Sequence, residues 1–247
     1  GGAGYIGSML STELINLGYK VTVIDLLKYE KSSLDHLYIS KNFEFINGDS
    51  RNKKIMKKLI KGHHYIIPLA GLVGTPLCEK FKKDAISTNL QAIKLILKFM
   101  NKNHKLIYLT TNSGYGIGEK DKFCDENSPL KPISLYGRTK CDGENAIKDF
   151  KNSVCFRLAT VFGVSYRMRS DLLVNNLVFK ALKEKKLSVF QPHFRRNFIH
   201  IDDVVSAFYF AIINFNKLKG EIFNLGLSTA NITKLELVKK IKKNIPD

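Results

Sequence analysis

The sequence predicts an α/β fold, a doubly wound parallel sheet with helices on both faces, followed by a smaller C-terminal α/β substrate lobe. Three observations carry this expectation. Short apolar or β-branched runs alternate with helical apolar patterns through about the first 160 residues, the order that builds a parallel sheet. The chain opens on a glycine-rich turn that leads into a helix and then a strand ending in an acid. Finally, Gly4, Asp25, Asp49, Ala70, Thr111 and Ala159 all fall at expected carboxyl ends of strands, where such sheets hold their ligands.

Taken in order, Ile6, Met9, Leu10, Leu14 and Leu17 repeat at helical spacing and Gly18 stops the run. Val21–Asp25 reads as a strand, and Phe43 to Ile46 as another that ends at Gly48-Asp49. Residues 52–61 read as a helix whose lysines face water, 65–70 as a buried strand, and 71–76 as a loop. Residues 84–101 read as one long helix. Its broad apolar stripe (Ile86, Leu90, Ile93, Leu97, Met100) suits packing on a sheet and also on a partner helix. Residues 105–110 form the next strand, 135–150 a helix, and 154–159 a further strand. Beyond about residue 160 the rhythm changes: helices are expected at 171–186 and 202–214, extended segments at 187–190 and 195–201, a strand within 220–226, and a last helix from Thr233. The domain reading is therefore 1–163 for the first domain, with about 191–215 returning to it, and 164–247 for the incomplete lobe.

Composition sets bounds on function. The formal net charge is +18, yet seven of the 40 basic residues are Arg and the other 33 are Lys, scattered over every segment. That distribution argues against a nucleic-acid surface, while a basic exterior would still attract an anionic substrate. No apolar run reaches membrane-spanning length, so no membrane partner is expected. The four cysteines show neither C-x-x-C pairing nor metal-ligand spacing with the six histidines, which points to reduced thiols, a cytoplasmic setting and no metal. No strand precedes Gly1, so the sequence is expected to be a fragment at its N-terminus.

The chemistry begins with the glycines at 1, 4 and 7, which let the backbone turn tightly and approach a diphosphate, with amide groups and dipole of the following helix to receive it. Asp25, eighteen residues after Gly7, lies where an acid accepts hydrogen bonds from an adenosine ribose. A carboxylate there repels a 2′-phosphate, which favours NAD over NADP. Tyr136 and Lys140, four apart on a helix, share a face. A phenol titrates near 10, and a nearby ammonium is expected to bring it down toward use as a base. On its own Tyr-x-x-x-Lys is a weak signal; beside a dinucleotide turn it gains meaning.

Together these residues resemble the extended short-chain dehydrogenase/reductase family, in its nucleotide-sugar epimerase/dehydratase branch. The likeness spans nearly the whole chain and implies a Rossmann-type sheet with bound NAD. It implies cofactor contacts from Gly1, Gly4, Tyr5, Ile6 and Gly7 of the turn, from Asp49 and Ser50, and from Leu69-Ala70, Asn89 and Thr110. It makes Thr111, 25 residues before Tyr136, the third catalytic residue with Tyr136 and Lys140, which also bind the cofactor. It likens Tyr115-Gly116 and Phe223 to Gly226 to family turns. It gives Asn175, Thr160 and Arg196 to the substrate diphosphate and sugar, and makes His200 structural. Thr160 departs from the usual Asn, and Asn112-Ser113 replace the Asp-Glu that 4,6-dehydratases carry. Family members also continue further, so part of the sugar lobe is expected to be missing.

The resulting expectation is an NAD-dependent nucleotide-sugar 4-epimerase, a homodimer acting on a nucleotide-diphosphate sugar. A 4-keto-sugar reductase with the same Thr/Tyr/Lys set is the alternative enzyme. A catalytically idle dinucleotide sensor is the alternative from another class.

Overall fold

The computed structural model describes residues 1–118 and 123–245. The elements run α1 (Tyr5–Asn16), β1 (Val21–Asp25), β2 (Phe43–Asn47), α2 (Lys53–Lys61), β3 (Tyr65–Ile66), α3 (Thr75–Lys80), α4 (Lys82–Ile86) and α5 (Ala92–Phe99). They continue with β4 (Lys105–Thr111), α6 (Leu135–Ile147), β5 (Ser153–Leu158), β6 (Thr160–Phe162), α7 (Leu173–Glu184), β7 (Arg195–His200) and α8 (Ile201–Ile213). Last come α9 (Phe215–Leu218), β8 (Ile222–Leu225), β9 (Asn231–Thr233) and α10 (Lys234–Asn244).

The parallel pairs are β1–β2 and the run β3–β4–β5–β8, with β6–β7–β9 forming a separate small sheet. In that small sheet β6 and β7 run parallel, whereas β7 and β9 are antiparallel. The main sheet is covered on both faces. On one, Tyr5, Leu10 and Leu14 of α1 pack with Val204, Phe208 and Ala211 of α8 over Ile107, Val154 and Phe156. On the other, Met56 and Ile60 of α2, Ile93 and Ile96 of α5, and Ile147 of α6 pack on Leu106 and Tyr108. Alternate residues of β4 point to opposite faces, so one strand feeds both cores. Val174, Leu177, Phe198, Leu237 and Ile241 make the core of the second lobe.

The structure departs from the sequence expectations at five places. The strand expected over 65–70 makes ladder bonds only through Tyr65 and Ile66; Pro68, without an N–H, cannot extend it. The single helix expected over 84–101 is α4 and α5 joined by a wider π turn at Ser87–Gln91, and the expected loop before it contains α3. The part of the chain that returns to the first domain reaches beyond 191–215, because β8 adds to β5. The short strand β9 lies where no element was expected.

Among the described residues no ladder joins β1 to β3. Thr22 and Ile24 of β1 face Tyr65, Ile67 and Leu69 across a cavity.

Candidate active site

The glycine turn is packed too tightly for any other residue. A Cβ on Gly1 would lie 2.0 Å from the Ala70 amide nitrogen, and one on Gly7 would lie 2.5 Å from the Gly1 carbonyl oxygen. The turn thus rests on the 69–70 backbone while α1 starts directly above it. No side chain caps α1, so its first amides remain available to an anion. Asp25 is fixed to the turn: one carboxylate oxygen accepts from the Ala3 amide at 3.1 Å, the other from the Leu27 amide at 2.9 Å. Gly1, Gly4, Asp25, Asp49, Ser50, Leu69 and Ala70 line one cavity, so the structure brings together seven of the expected cofactor residues. An adenine dinucleotide fits this donor set: glycine backbone for the diphosphate and a carboxylate for the ribose.

Asp49 has a partner that sequence reasoning missed. Arg51 donates to both its oxygens, at 2.6 Å to one and 3.0 Å to the other, and these bonds hold the carboxyl below its ordinary value. Arg51 also reaches Asp84 at 3.0 Å and Ser87 at 2.9 Å, tying the end of β2 to the π turn. The signal was an Arg two residues after the acid, readable only once the fold placed Asp84 beside it.

Asn89 sits in that π turn and is 2 % exposed. Its side chain accepts from the Leu72 amide and donates to the Leu72 carbonyl, both at 2.9 Å, and to Thr139 at 3.3 Å. In the polypeptide these bonds fix the 71–72 backbone against the helix carrying Tyr136.

Ser134 caps α6, accepting from the Gly137 amide at 3.1 Å, and so sets the turn on which Tyr136 and Lys140 stand. Thr111 ends β4, and its hydroxyl accepts from the Ser113 amide at 3.2 Å on the side of the strand where Tyr136 stands. Burial pushes Tyr136 up to about 12, with Thr111 and the charge of Arg169 pulling it back, and pushes Lys140 down to about 8. The sequence expectation that Lys140 lowers the Tyr136 pKa is therefore not met by the polypeptide alone. Removing both groups from water disfavours both charged forms, and burial is the largest cause at each of them. Lys140 lies 4.8 Å from the centre of the Tyr108 ring.

A buried network supports the catalytic helix. Arg157 of β5 pairs with Glu144 of α6 at 2.6 Å and donates to the Tyr115 hydroxyl at 2.9 Å, which donates to Asn224 at 2.6 Å. Both charged side chains are almost fully buried. The network binds together α6, β5, β8 and the segment after Thr111.

In the second lobe, Asn175 uses its whole amide internally. It accepts from the Gly163 amide at 3.0 Å and donates to the Tyr5 hydroxyl at 3.2 Å and the Arg169 carbonyl at 3.0 Å. It bolts the lobe to α1. Thr160 lies on β6, half-buried. Arg196 is exposed on β7; burial lowers the pKa of Lys234, and the charge of Arg196 lowers it further. His200 caps α8, accepting from the Asp202 amide at 3.3 Å, and its ring meets Phe162 edge-on. Cys78, Cys124, Cys141 and Cys155 are all free thiols.

A glycine turn with an anchored acid, set in the same α/β domain as a Thr/Tyr/Lys set, defines a dinucleotide-dependent enzyme. The family model described as the NAD dependent epimerase/dehydratase family matches residues 1–226. The chain belongs to that family, and its cofactor is NAD. It is 28% identical over 280 residues to CDP-paratose 2-epimerase of Salmonella typhi, covering 98% of this chain and 82% of that one. It is 30% identical over 244 residues to the uncharacterized UDP-glucose epimerase YtcB of Bacillus subtilis, covering 92% and 75%. Among solved structures, UDP-glucuronic acid 4-epimerase from Bacillus cereus, in complex with UDP-glucuronic acid and NAD, superposes with a TM-score of 0.87. That match has 27% identity and covers 99% of this chain and 81% of that one. No described helix is long and apolar enough to cross a membrane.

Proposed function

We propose that the protein is an NAD-dependent nucleotide-sugar 4-epimerase. The observation that carries this reading is the grouping of Thr111, Tyr136 and Lys140 with Asn112 and Ser113, neither of them an acid or base, on the turn that follows Thr111. Tyr136 as phenolate takes the proton from the sugar 4-hydroxyl, and Thr111 hydrogen-bonds the same oxygen to position it. Lys140 stabilises the phenolate by its charge and holds the nicotinamide ribose. NAD, when bound, would supply a reversible hydride acceptor for C4, and its positive ring would oppose the rise that burial imposes on the Tyr136 pKa. Tyr136 gives its proton back to O4 once the sugar has turned over, so the cofactor ends unchanged. Elimination of water would need a second acid and base near C5 and C6, and Asn112-Ser113 supply neither.

The substrate is a nucleotide-diphosphate sugar, with Arg196 and Thr160 as its binding residues and Asn175 shaping the lobe around it. The relatives support the class: the Bacillus cereus structure is a 4-epimerase with a nucleotide sugar. We read the working form as a cytoplasmic homodimer, in keeping with four free thiols and with Phe81 and Ile86 exposed at the two ends of α4. The test is product analysis with UDP-, GDP-, dTDP- and CDP-sugars alongside NADH absorbance. Interconversion at C4 with no net nicotinamide change is the expected result. Stoichiometric loss of added NADH with a 4-keto sugar would overturn the reading in favour of a reductase. Binding of NAD without any nucleotide sugar would mark a sensor.

A further inference from the structure

Seven arginines are present, and five have hydrogen-bonded or ion-paired guanidinium groups: Arg51, Arg138, Arg157, Arg169 and Arg195. Among the described residues, no such partner engages Arg167 or Arg196. Arg196 lies in the substrate lobe. Arg167 comes from the segment after β6, yet it lines the cavity formed by Gly4, Asp25 and Asp49 of the first domain.

That placement is built. The Ser165 hydroxyl donates to the Tyr5 carbonyl at 2.7 Å and lies 3.1 Å from the Ser8 hydroxyl, both on α1. The Tyr166 ring stacks on His36 with centroids 4.0 Å apart, and His36 is in turn 2.8 Å from Thr12. These contacts anchor the two residues before Arg167. The guanidinium then rests over the Tyr29 ring, 4.6 Å from its centre, a platform that holds a planar cation without using its donors. A fork of free donors at the cavity wall matches phosphate oxygens. The cavity already offers uncapped α1 amides for the same anion.

We propose that Arg167, held on Tyr29, binds the diphosphate of NAD and so fastens the second lobe onto the cofactor. The assignment rests on NAD as the cofactor and is independent of which reaction the site performs. Isothermal titration of the protein, freed of nucleotide, compares NAD with adenosine, which has no phosphate. Arg167→Ala weakens NAD binding by about tenfold or more, the worth of a charge-assisted hydrogen bond, and leaves adenosine binding unchanged. Arg167→Lys recovers part of the loss, and Tyr29→Leu, which keeps the charge but removes its platform, gives a smaller loss. Release of NADH from the loaded protein, followed by its fluorescence, quickens in the same order. Unchanged NAD affinity in Arg167→Ala, or an equal loss for adenosine, overturns the proposal. Either result leaves the epimerase reading standing, since that is decided by product analysis.

Discussion

The ammonium of Lys140 lies over the face of the Tyr108 ring, 4.8 Å from its centre, and Tyr108 is fully buried on β4. The ring offers a buried cation an electrostatic partner that costs it no proton. The Tyr108 hydroxyl has no hydrogen-bond partner among the described residues, so the ring face is what Lys140 uses. Tyr108→Phe should therefore keep the pH profile of turnover. Tyr108→Leu should move its alkaline limb to lower pH, because Lys140 then loses its proton more readily. Superimposable profiles for wild type and Tyr108→Leu would refute the role.

Lys140 also makes stability depend on pH. Its pKa is held at about 8, below the ordinary 10.5. Between those values the unfolded chain binds a proton that the folded chain does not, so stability rises with pH across that window. Lys140→Met should remove the rise. Urea midpoints measured near the two ends of the window decide it, and identical pH dependence in both proteins counts against the assignment.

The Arg157–Glu144 pair is buried on both sides. Breaking one half leaves an uncompensated charge, so Glu144→Gln or Arg157→Met should destabilise the fold by about 3–5 kcal/mol. Replacing both with methionine should recover most of that loss. Denaturant titration of the three variants gives the comparison, and additive losses in the double variant would show that the two residues act separately.

Arg196→Ala should raise the KM for a nucleotide sugar by about tenfold, in line with the loss of a charge-assisted hydrogen bond, with NAD affinity unaffected. Steady-state kinetics and NAD titration on the same preparation test this. A parallel fall in NAD affinity would move Arg196 to the cofactor.

Ile86, exposed at the end of α4, should belong to the face that meets a second subunit. Ile86→Lys should yield monomers by light scattering. A monomeric wild type would end the dimer reading.

Much of this protein was legible in sequence because local rules coincide with global ones. The turn from Gly1 to Gly7 fixes its own geometry, and α1, β1 and β2 follow from periodicity alone. Tyr136 and Lys140 were legible because a helix spaces them without outside help. What stayed hidden depends on tertiary partners. Arg51 acquires its task only when Asp84 comes alongside. Asn89 and Asn175 turn inward because the chain folds back on them, at Leu72 and at Tyr5. The pKa of Tyr136 moved opposite to expectation because burial is a property of the whole fold, whereas the neighbouring Lys140 is a property of the helix.

The bonds from Asn175 to the Tyr5 hydroxyl and from Ser165 to the Tyr5 carbonyl carry a consequence for engineering. A lobe transplanted from a relative with another sugar preference brings its own version of 163–175, but it meets this chain's Tyr5 and Ser8. Such a chimera should fold badly unless the first two turns of α1 travel with the lobe. The modular unit for exchange is thus discontinuous: the lobe together with the start of the cofactor helix.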